Sequence, residues 1–131
     1  MPEIPGRSHP ASAVARAIAD AGSEAMDIML DVRSQIAIPH VIDEPLHRFG
    51  RLDILVNSAG TQVYKPALEI TAEEFDDVLD INLRGAFLCA QAVAPIMREQ
   101  ARGCIVNVSS QHGVVGNRMR APSNGRDTGS A

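Results

Sequence analysis

Three short apolar runs, separated by stretches of helical period, constrain the fold more than any other feature of this 131-residue chain. The runs are AMDIMLDV at 25–32, LDILVN at 52–57 and CIVNVSS at 104–110. Each is bounded by turn-forming residues and is too short for a buried helix, so each reads as a strand with both faces covered. Such strands belong to parallel sheets, and parallel neighbours need long crossovers, which the stretches between the runs supply. The order helix, strand, helix, strand, helix, strand predicts an α/β fold with helices covering a parallel sheet.

The helical stretches carry their own start and stop signals. Ser12 caps a short helix whose apolar positions Val14, Ile18 and Ala21 recur at helical spacing, with Gly22 placed to end it. Residues 34–49 keep the pattern through Ile38, Ile42, Leu46 and Phe49, but Pro39 and Pro45 fall inside it. An interior proline costs on the order of 3 kcal/mol, so this helix is expected to be kinked or frayed. Thr71 and Glu74 form a T-x-x-E capping box that opens a long helix reaching about Gln100, weakened at Gly85, bent near Pro95 and closed by Gly103.

Composition narrows the function classes. Hydrophobic residues make up 45% of the chain, aromatics only 3%, and there is no Trp, so one modest aliphatic core is expected. A net charge of -4 without a basic cluster argues against binding a nucleic-acid backbone. No stretch is long and apolar enough to span a membrane, and MPEIPGRSHP has no apolar signal region, which makes a cytoplasmic location the expectation. Cys89 and Cys104 lack metal-ligand spacing and read as small buried hydrophobes, so no metal is expected. His40 and His47 read as solvated helix surface. Residues 1–10 are expected to be a disordered leader and 117–131, rich in Gly, Ser, Pro and Asn, a disordered tail, leaving 11–116 as the folded unit.

Three segments in order, FGRLDILVNSAG at 49–60, DINLRGAFLCAQAVAPIM at 80–97 and GCIVNVSS at 103–110, closely resemble successive signatures of the short-chain dehydrogenase/reductases. The likeness runs from about Ala11 to Gly116 and covers about half of a typical family domain. It implies a partial doubly wound, Rossmann-like parallel sheet with three strands and flanking helices, a partial dinucleotide-binding domain. It also implies an oxidoreductase using NAD or NADP on the alcohol/carbonyl pair of a small molecule.

The resemblance assigns roles residue by residue. Asn57, Ser58, Ala59 and Gly60 match the loop that passes beside the cofactor, with Ser58 in place of the more usual second Asn. Asp31 and Val32 match the strand end whose carboxylate and neighbouring backbone contact adenine. Asn82 matches the Asn that supports a proton relay. Ser110 matches the serine that hydrogen-bonds the substrate oxygen, with Ser109 the competing choice. Each position also has a plain alternative: a turn needing no ligand, a helix cap or solvated carboxylate, an exposed polar residue on the long helix. A hydrolase nucleophile is disfavoured, because G-x-S-x-G is absent around these serines, and His112 reads as a loop residue.

Two family elements do not occur in the sequence. At the family's usual spacing after Ser110, the Tyr position falls on Ser123 and the Lys position on Asp127, and the only Tyr and Lys are Tyr64 and Lys65. The G-x-x-x-G-x-G turn that cradles a pyrophosphate at a helix amino terminus is also absent. Activity of this chain alone is therefore not expected, and the missing pyrophosphate turn weakens the binding of NAD or NADP that the resemblance implies. Two other readings remain: a non-catalytic interaction protein docking, as homo- or hetero-oligomer, through helix 72–100, and a non-functional gene fragment. In a sheet ordered 3-2-1-4-5-6, strands 52–57 and 104–109 pair directly. Strand 25–31 is left without its neighbours, so marginal stability and a broad melt are expected.

Overall fold

A computed structural model describes residues 10–110. Helix α1 spans Pro10–Asp20 and so starts ahead of the expected Ser12 cap. Proline suits the first helical position because the donor it lacks has no partner there. Ser12, now inside the helix, donates through its hydroxyl to the Asp27 carboxylate. Gly22 ends the helix as anticipated, at φ 86°, a left-handed conformation that costs glycine little. The apolar stripe of α1 stays largely exposed, Val14 at 60% and Ile18 at 41%.

Helix α2 spans Ala37–Phe49, starting later than residue 34, and is continuous through Pro39 and Pro45. Pro39 lies in the first turn, where amide donors have no intrahelical partner. Pro45 lies inside, and the burial of Ile38 and Ile42 holds the helix on the core around it. Ser34 starts the helix twice over: its hydroxyl oxygen accepts from the Ala37 N–H at 3.2 Å and its carbonyl from the Ile38 N–H at 3.2 Å. Gly50, at φ 75°, returns its N–H to the Leu46 carbonyl at 2.8 Å and closes it.

Strands β1, Ile54–Asn57, and β2, Cys104–Asn107, pair in parallel with Ile54 opposite Cys104 and Asn57 opposite Asn107. The ladder reaches one step further at each end, from the Cys104 N–H to the Asp53 carbonyl and from the Val108 N–H to the Asn57 carbonyl, both 2.9 Å. Among the described residues two strands are formed rather than the three expected. Residues 25–30 make no backbone hydrogen bond among the described residues, because no strand lies alongside to take one. The segment is nonetheless anchored, with Leu30 and Val32 packed on the same core as β1.

The long helix is interrupted at Asp80–Arg84, while the stretch holding Pro95 is continuous. Helix α3, Ala72–Leu79, opens on the predicted capping box: the Glu74 N–H donates to Thr71 Oγ1 at 3.2 Å and the Thr71 N–H to Glu74 Oε2 at 3.1 Å. It runs into a wide π-type turn over Asp80–Arg84 and continues as α4, Gly85–Glu99, which passes through Pro95 unbroken. The turn widens because the Gly85 N–H bonds back to the Asp80 carbonyl, five residues earlier. Gly85 is required by a close approach: a Cβ there would lie 2.7 Å from Val32 Cγ2. After α4 the chain turns through Ala101 at φ 54°, with the Arg102 N–H reaching the Met97 carbonyl at 3.1 Å. Gly103 follows that turn rather than making it, and is needed because a Cβ would meet the Met97 side chain at 2.4 Å.

The core lies between α2 and α4: Ile38, Ile42, Cys89, Val93 and Met97 are buried, with Leu52, Leu55 and Leu88 packed against them. Cys89 behaves as the small apolar residue anticipated, and burial pushes its thiol pKa up. Cys104 does not: it lies exposed on the sheet face opposite the helices, in register with exposed Ile54. At the other end of β1, Gln100 makes a two-point pair with Leu52, accepting from its N–H at 3.1 Å and donating to its carbonyl at 2.8 Å.

Candidate functional site

Open parallel sheets take ligands in the crevice beyond the carboxyl ends of their strands. Those ends are Asn57 and Asn107, which the register sets side by side. Asn57 Nδ2 donates to Asn107 Oδ1 at 2.9 Å and to the Ala86 carbonyl at 3.2 Å, tying both strand ends to the first turn of α4. Ser58, Ala59 and Gly60 then leave the sheet as an exposed loop.

The loop is caught immediately afterwards. Asn82 Oδ1 accepts from the Thr61 N–H at 2.7 Å while its Nδ2 donates to the Thr61 carbonyl at 2.8 Å. Asn82 is 3% exposed, which corrects the alternative of an exposed polar residue on the helix surface. Its place in the wide turn suits it, since asparagine is a poor residue for a regular helix interior. The amide engages one backbone residue at both ends, so this side chain fixes the Gly60–Thr61 loop against the helix.

Asp31 and Val32 end the unpaired segment. The Asp31 carboxylate accepts the backbone N–H of Arg33 at 3.0 Å, Nε at 3.0 Å and Nη2 at 2.8 Å. These bonds, the guanidinium ones foremost, hold its pKa down at about 2. The remaining arm of Arg33, Nη1, reaches Asp77 Oδ1 on α3 at 3.2 Å. Val32 turns its side chain into the space left by Gly85, while its backbone N–H has no partner among the described residues. Three of the candidate groups are thus tied to the α3–α4 junction: Val32 at Gly85, Asn57 at Ala86, the Gly60 loop at Asn82.

Ser109 and Ser110 follow β2 and both face solvent, so exposure does not choose between them. Lys65 is paired with Glu74, whose pKa is lowered chiefly by that contact, so the only lysine secures the loop to the start of α3. Tyr64 is 62% exposed. His112, Ser123 and Asp127 lie outside the described residues, as do the leader before residue 10 and the tail 117–131. Among the described residues no helix is long and apolar enough to cross a membrane.

Sequence reasoning missed Arg33, Thr61 and Gln100, and took Gly85 only as a weak point. Gly85 had a readable signal, an isolated glycine in an otherwise Ala- and Leu-rich helix, which costs about 1 kcal/mol against alanine and so points to a packing reason. The backbone partner of Asn82 and the clasp of Gln100 had none, because both depend on which loop the fold lays beside the helix.

Comparison with known proteins places these features in a wider set. The family model described as short chain dehydrogenase matches residues 5–122. A 3-oxoacyl-(acyl-carrier-protein) reductase of Staphylococcus aureus is 38% identical over 116 residues, covering 88% of this chain and 47% of the relative. The cyclopentanol dehydrogenase of a Comamonas species is 42% identical over 95 residues, 72% of this chain and 38% of the relative. Among solved structures, an NAD+-bound xylitol dehydrogenase superposes with a TM-score of 0.85 at 32% identity, over 90% of this chain and 46% of that one. The chain therefore spans about half the length of the relatives it matches.

Proposed function

The chain belongs to the short-chain dehydrogenase family, and from that premise we propose that it carries the adenine side and the carbonyl side of an NAD(P)-dependent oxidoreductase site. The observation that carries this reading is the α3–α4 junction, where Asn82, Gly85 and Ala86 draw together the Gly60 loop, Val32 and Asn57. The adenosine end of a dinucleotide fits what is present: an ionised acceptor at Asp31, next in the chain to the Val32 N–H, which has no partner among the described residues. Ser58, Ala59 and Gly60 would pass along the cofactor, with Gly60 allowing close approach to a ribose. A bound cofactor would supply or accept the hydride.

The chain's own residues bind and orient. Ser110 donates its hydroxyl to a substrate carbonyl oxygen, or accepts from the corresponding alcohol. Asn82 holds the loop at Thr61, and with it the chain from Ser58 to Gly60. The names of two relatives, a 3-oxoacyl reductase and cyclopentanol dehydrogenase, share a ketone or its secondary alcohol, which is the substrate class we assign. The 131-residue chain does not turn over alone in this reading. A tyrosine near its ordinary pKa of about 10 needs an adjacent cation to exchange protons at neutral pH. The sequence has no Tyr-x-x-x-Lys, and its one lysine is paired with Glu74.

The test is an NMR titration of the full chain with NAD and NADP, paired with a turnover assay on a cyclic secondary alcohol. Shifts confined to the amides of Val32 and residues 58–61, without turnover, are expected. Turnover by the purified chain refutes the inactivity, and no shift at those amides at millimolar cofactor refutes the site.

A further inference from the structure

Among the described residues the paired strands are covered on one side only. Leu55 packs against the core between α2 and α4, and the residues that alternate with it, Ile54 and Val56, lie on the opposite face at 64% and 55% exposure. The register sets Cys104 beside Ile54 and Val106 beside Val56, so two cross-strand pairs make one exposed apolar patch. Strands of a parallel sheet are ordinarily buried on both faces, and a contiguous apolar patch on one of them marks an interaction surface.

A second apolar surface lies exposed on the same chain. Helix α1 is fastened by its polar side: the Ser12 hydroxyl donates to the Asp27 carboxylate, and Arg16 Nε donates to the Ser12 carbonyl at 3.4 Å. At about 100° per residue, Val14 and Ile18 sit about 200° and 240° round the helix from Ser12, on the side turned away from Asp27. They stay 60% and 41% exposed because the bond that anchors the helix faces the other way. Helix α1 thus has an apolar stripe with nothing beneath it, and the sheet has an apolar face with no helix above it. The two match in length: the 11 residues of α1 measure about 16 Å at ~1.5 Å each, and the 4 residues of each strand about 13 Å at ~3.3 Å each.

We propose that two copies of this chain pair by a reciprocal helix-on-sheet contact, Val14 and Ile18 of α1 in each covering the Ile54, Val56, Cys104 and Val106 patch of the other. The occupant is a second copy because each copy brings both halves of the contact, and a two-fold axis that satisfies one half satisfies the other. Such a pair closes on itself and grows no further. A polar or charged partner gains nothing on this patch, where its own groups would be buried without hydrogen-bond partners. The inference is independent of the oxidoreductase reading.

Cys104 reports on the contact directly, since it lies in the patch while the other cysteine, Cys89, is buried. Its alkylation by N-ethylmaleimide is followed on the full chain from about 1 µM to about 500 µM, the range in which small interfaces associate, alongside sedimentation equilibrium. The rate constant is expected to fall by about fivefold or more over that range, as the mass rises to that of two copies and stops there. Ile18→Glu and Val56→Lys, both at exposed positions, are each expected to hold the dilute rate at every concentration. An equimolar mixture of the two variants restores protection, because the intact helix of one meets the intact sheet of the other and the introduced charges, opposite in sign, meet at the second contact. If Val56→Lys does not fold, Ile18→Glu decides, with Asp20→Lys, a charge change on the same helix away from the stripe, as the control that keeps the wild-type dependence. A Cys104 rate independent of concentration overturns the proposal, whether the chain stays single or associates elsewhere, as it would through helix 72–100. Assembly beyond two copies overturns the closed pair, and protection that survives Ile18→Glu overturns the part given to α1.

Discussion

Gly85→Ala sets two well-understood effects against each other. On helix propensity alone the change stabilises, by up to about 1 kcal/mol, because alanine is the best helix former and glycine among the worst. The contact with Val32 opposes it. A Cβ at residue 85 would lie 2.7 Å from Val32 Cγ2, 2.9 Å from its Cβ and 3.2 Å from its carbonyl oxygen. Carbon atoms are at their best separation near 3.5–4.0 Å, so two carbons are about 1 Å too close. Rotation does not relieve this, since the Val32 Cβ is fixed to the backbone and a β-branched side chain has few alternatives. Overpacking of this kind costs about 1–3 kcal/mol, and two carbons that cannot move away place this site in the upper part, about 2–3 kcal/mol, which leaves a net destabilisation of about 1–2 kcal/mol. In urea, with a slope of about 2 kcal/mol/M, the midpoint falls by roughly 0.5–1 M. Combining the change with Val32→Ala removes the nearest atom, and the double-mutant cycle should show a coupling of about 1 kcal/mol. A midpoint for Gly85→Ala that is unchanged or raised refutes the reasoning, for it means that propensity acts unopposed.

Asn82→Ala leaves the Thr61 N–H and carbonyl without their partners, at a cost of about 2 kcal/mol for two neutral hydrogen bonds, and faster exchange of the Thr61 amide reads it directly. Ala101→Gly relieves a left-handed alanine and should stabilise by about 0.5–1 kcal/mol after the entropy that glycine adds to the unfolded chain; a thermal midpoint that does not rise counts against it. Asp31 titrates at about 2 in the fold against an ordinary 3.8. A depressed carboxylate contributes stability that is fully present above its unfolded pKa and is lost as pH falls through the folded one. The stability gap between wild type and Asp31→Asn should therefore be constant above about pH 5 and close between pH 4 and 2, and a gap that persists at pH 2 would disprove the Arg33 contact as its source.

How much of this was legible in the sequence varied with the kind of interaction. Local signals read well: Gly22 and Gly50 end helices at positive φ, and Thr71 with Glu74 forms the capping box. The β1 and β2 runs pair in parallel, because the two apolar segments need no further partner to form a ladder. Misreadings arose where tertiary contacts override local preference. Pro45 and Pro95 are carried inside intact helices because Ile38, Ile42, Val93 and Met97 bury those helices in one core. The run 25–32 has a strand's composition but no neighbouring strand among the described residues, and composition does not report whether a ladder partner exists. Cys104 has an apolar sequence context yet sits on the uncovered face of the sheet, which depends on what lies opposite. Of the site, the motif residues were legible as types at a spacing; that Asn82 grips Thr61 and that Arg33 grips Asp31 required the fold.

The two side-chain amides that clasp the backbone, Gln100 at Leu52 and Asn82 at Thr61, make the helix a ruler for the strand. Along the helix the distance from residue 82 to residue 100 is about 27 Å at ~1.5 Å per residue. The chain from 52 to 61, fully extended at ~3.3 Å per residue, measures about 30 Å. The two lengths match with little to spare. Surface loops ordinarily absorb an inserted or deleted residue at small cost, but a residue removed between 52 and 61 would have to release one clasp. The loop carrying Ser58, Ala59 and Gly60 is therefore fixed in length as well as in place, gauged by a helix it touches only at its ends.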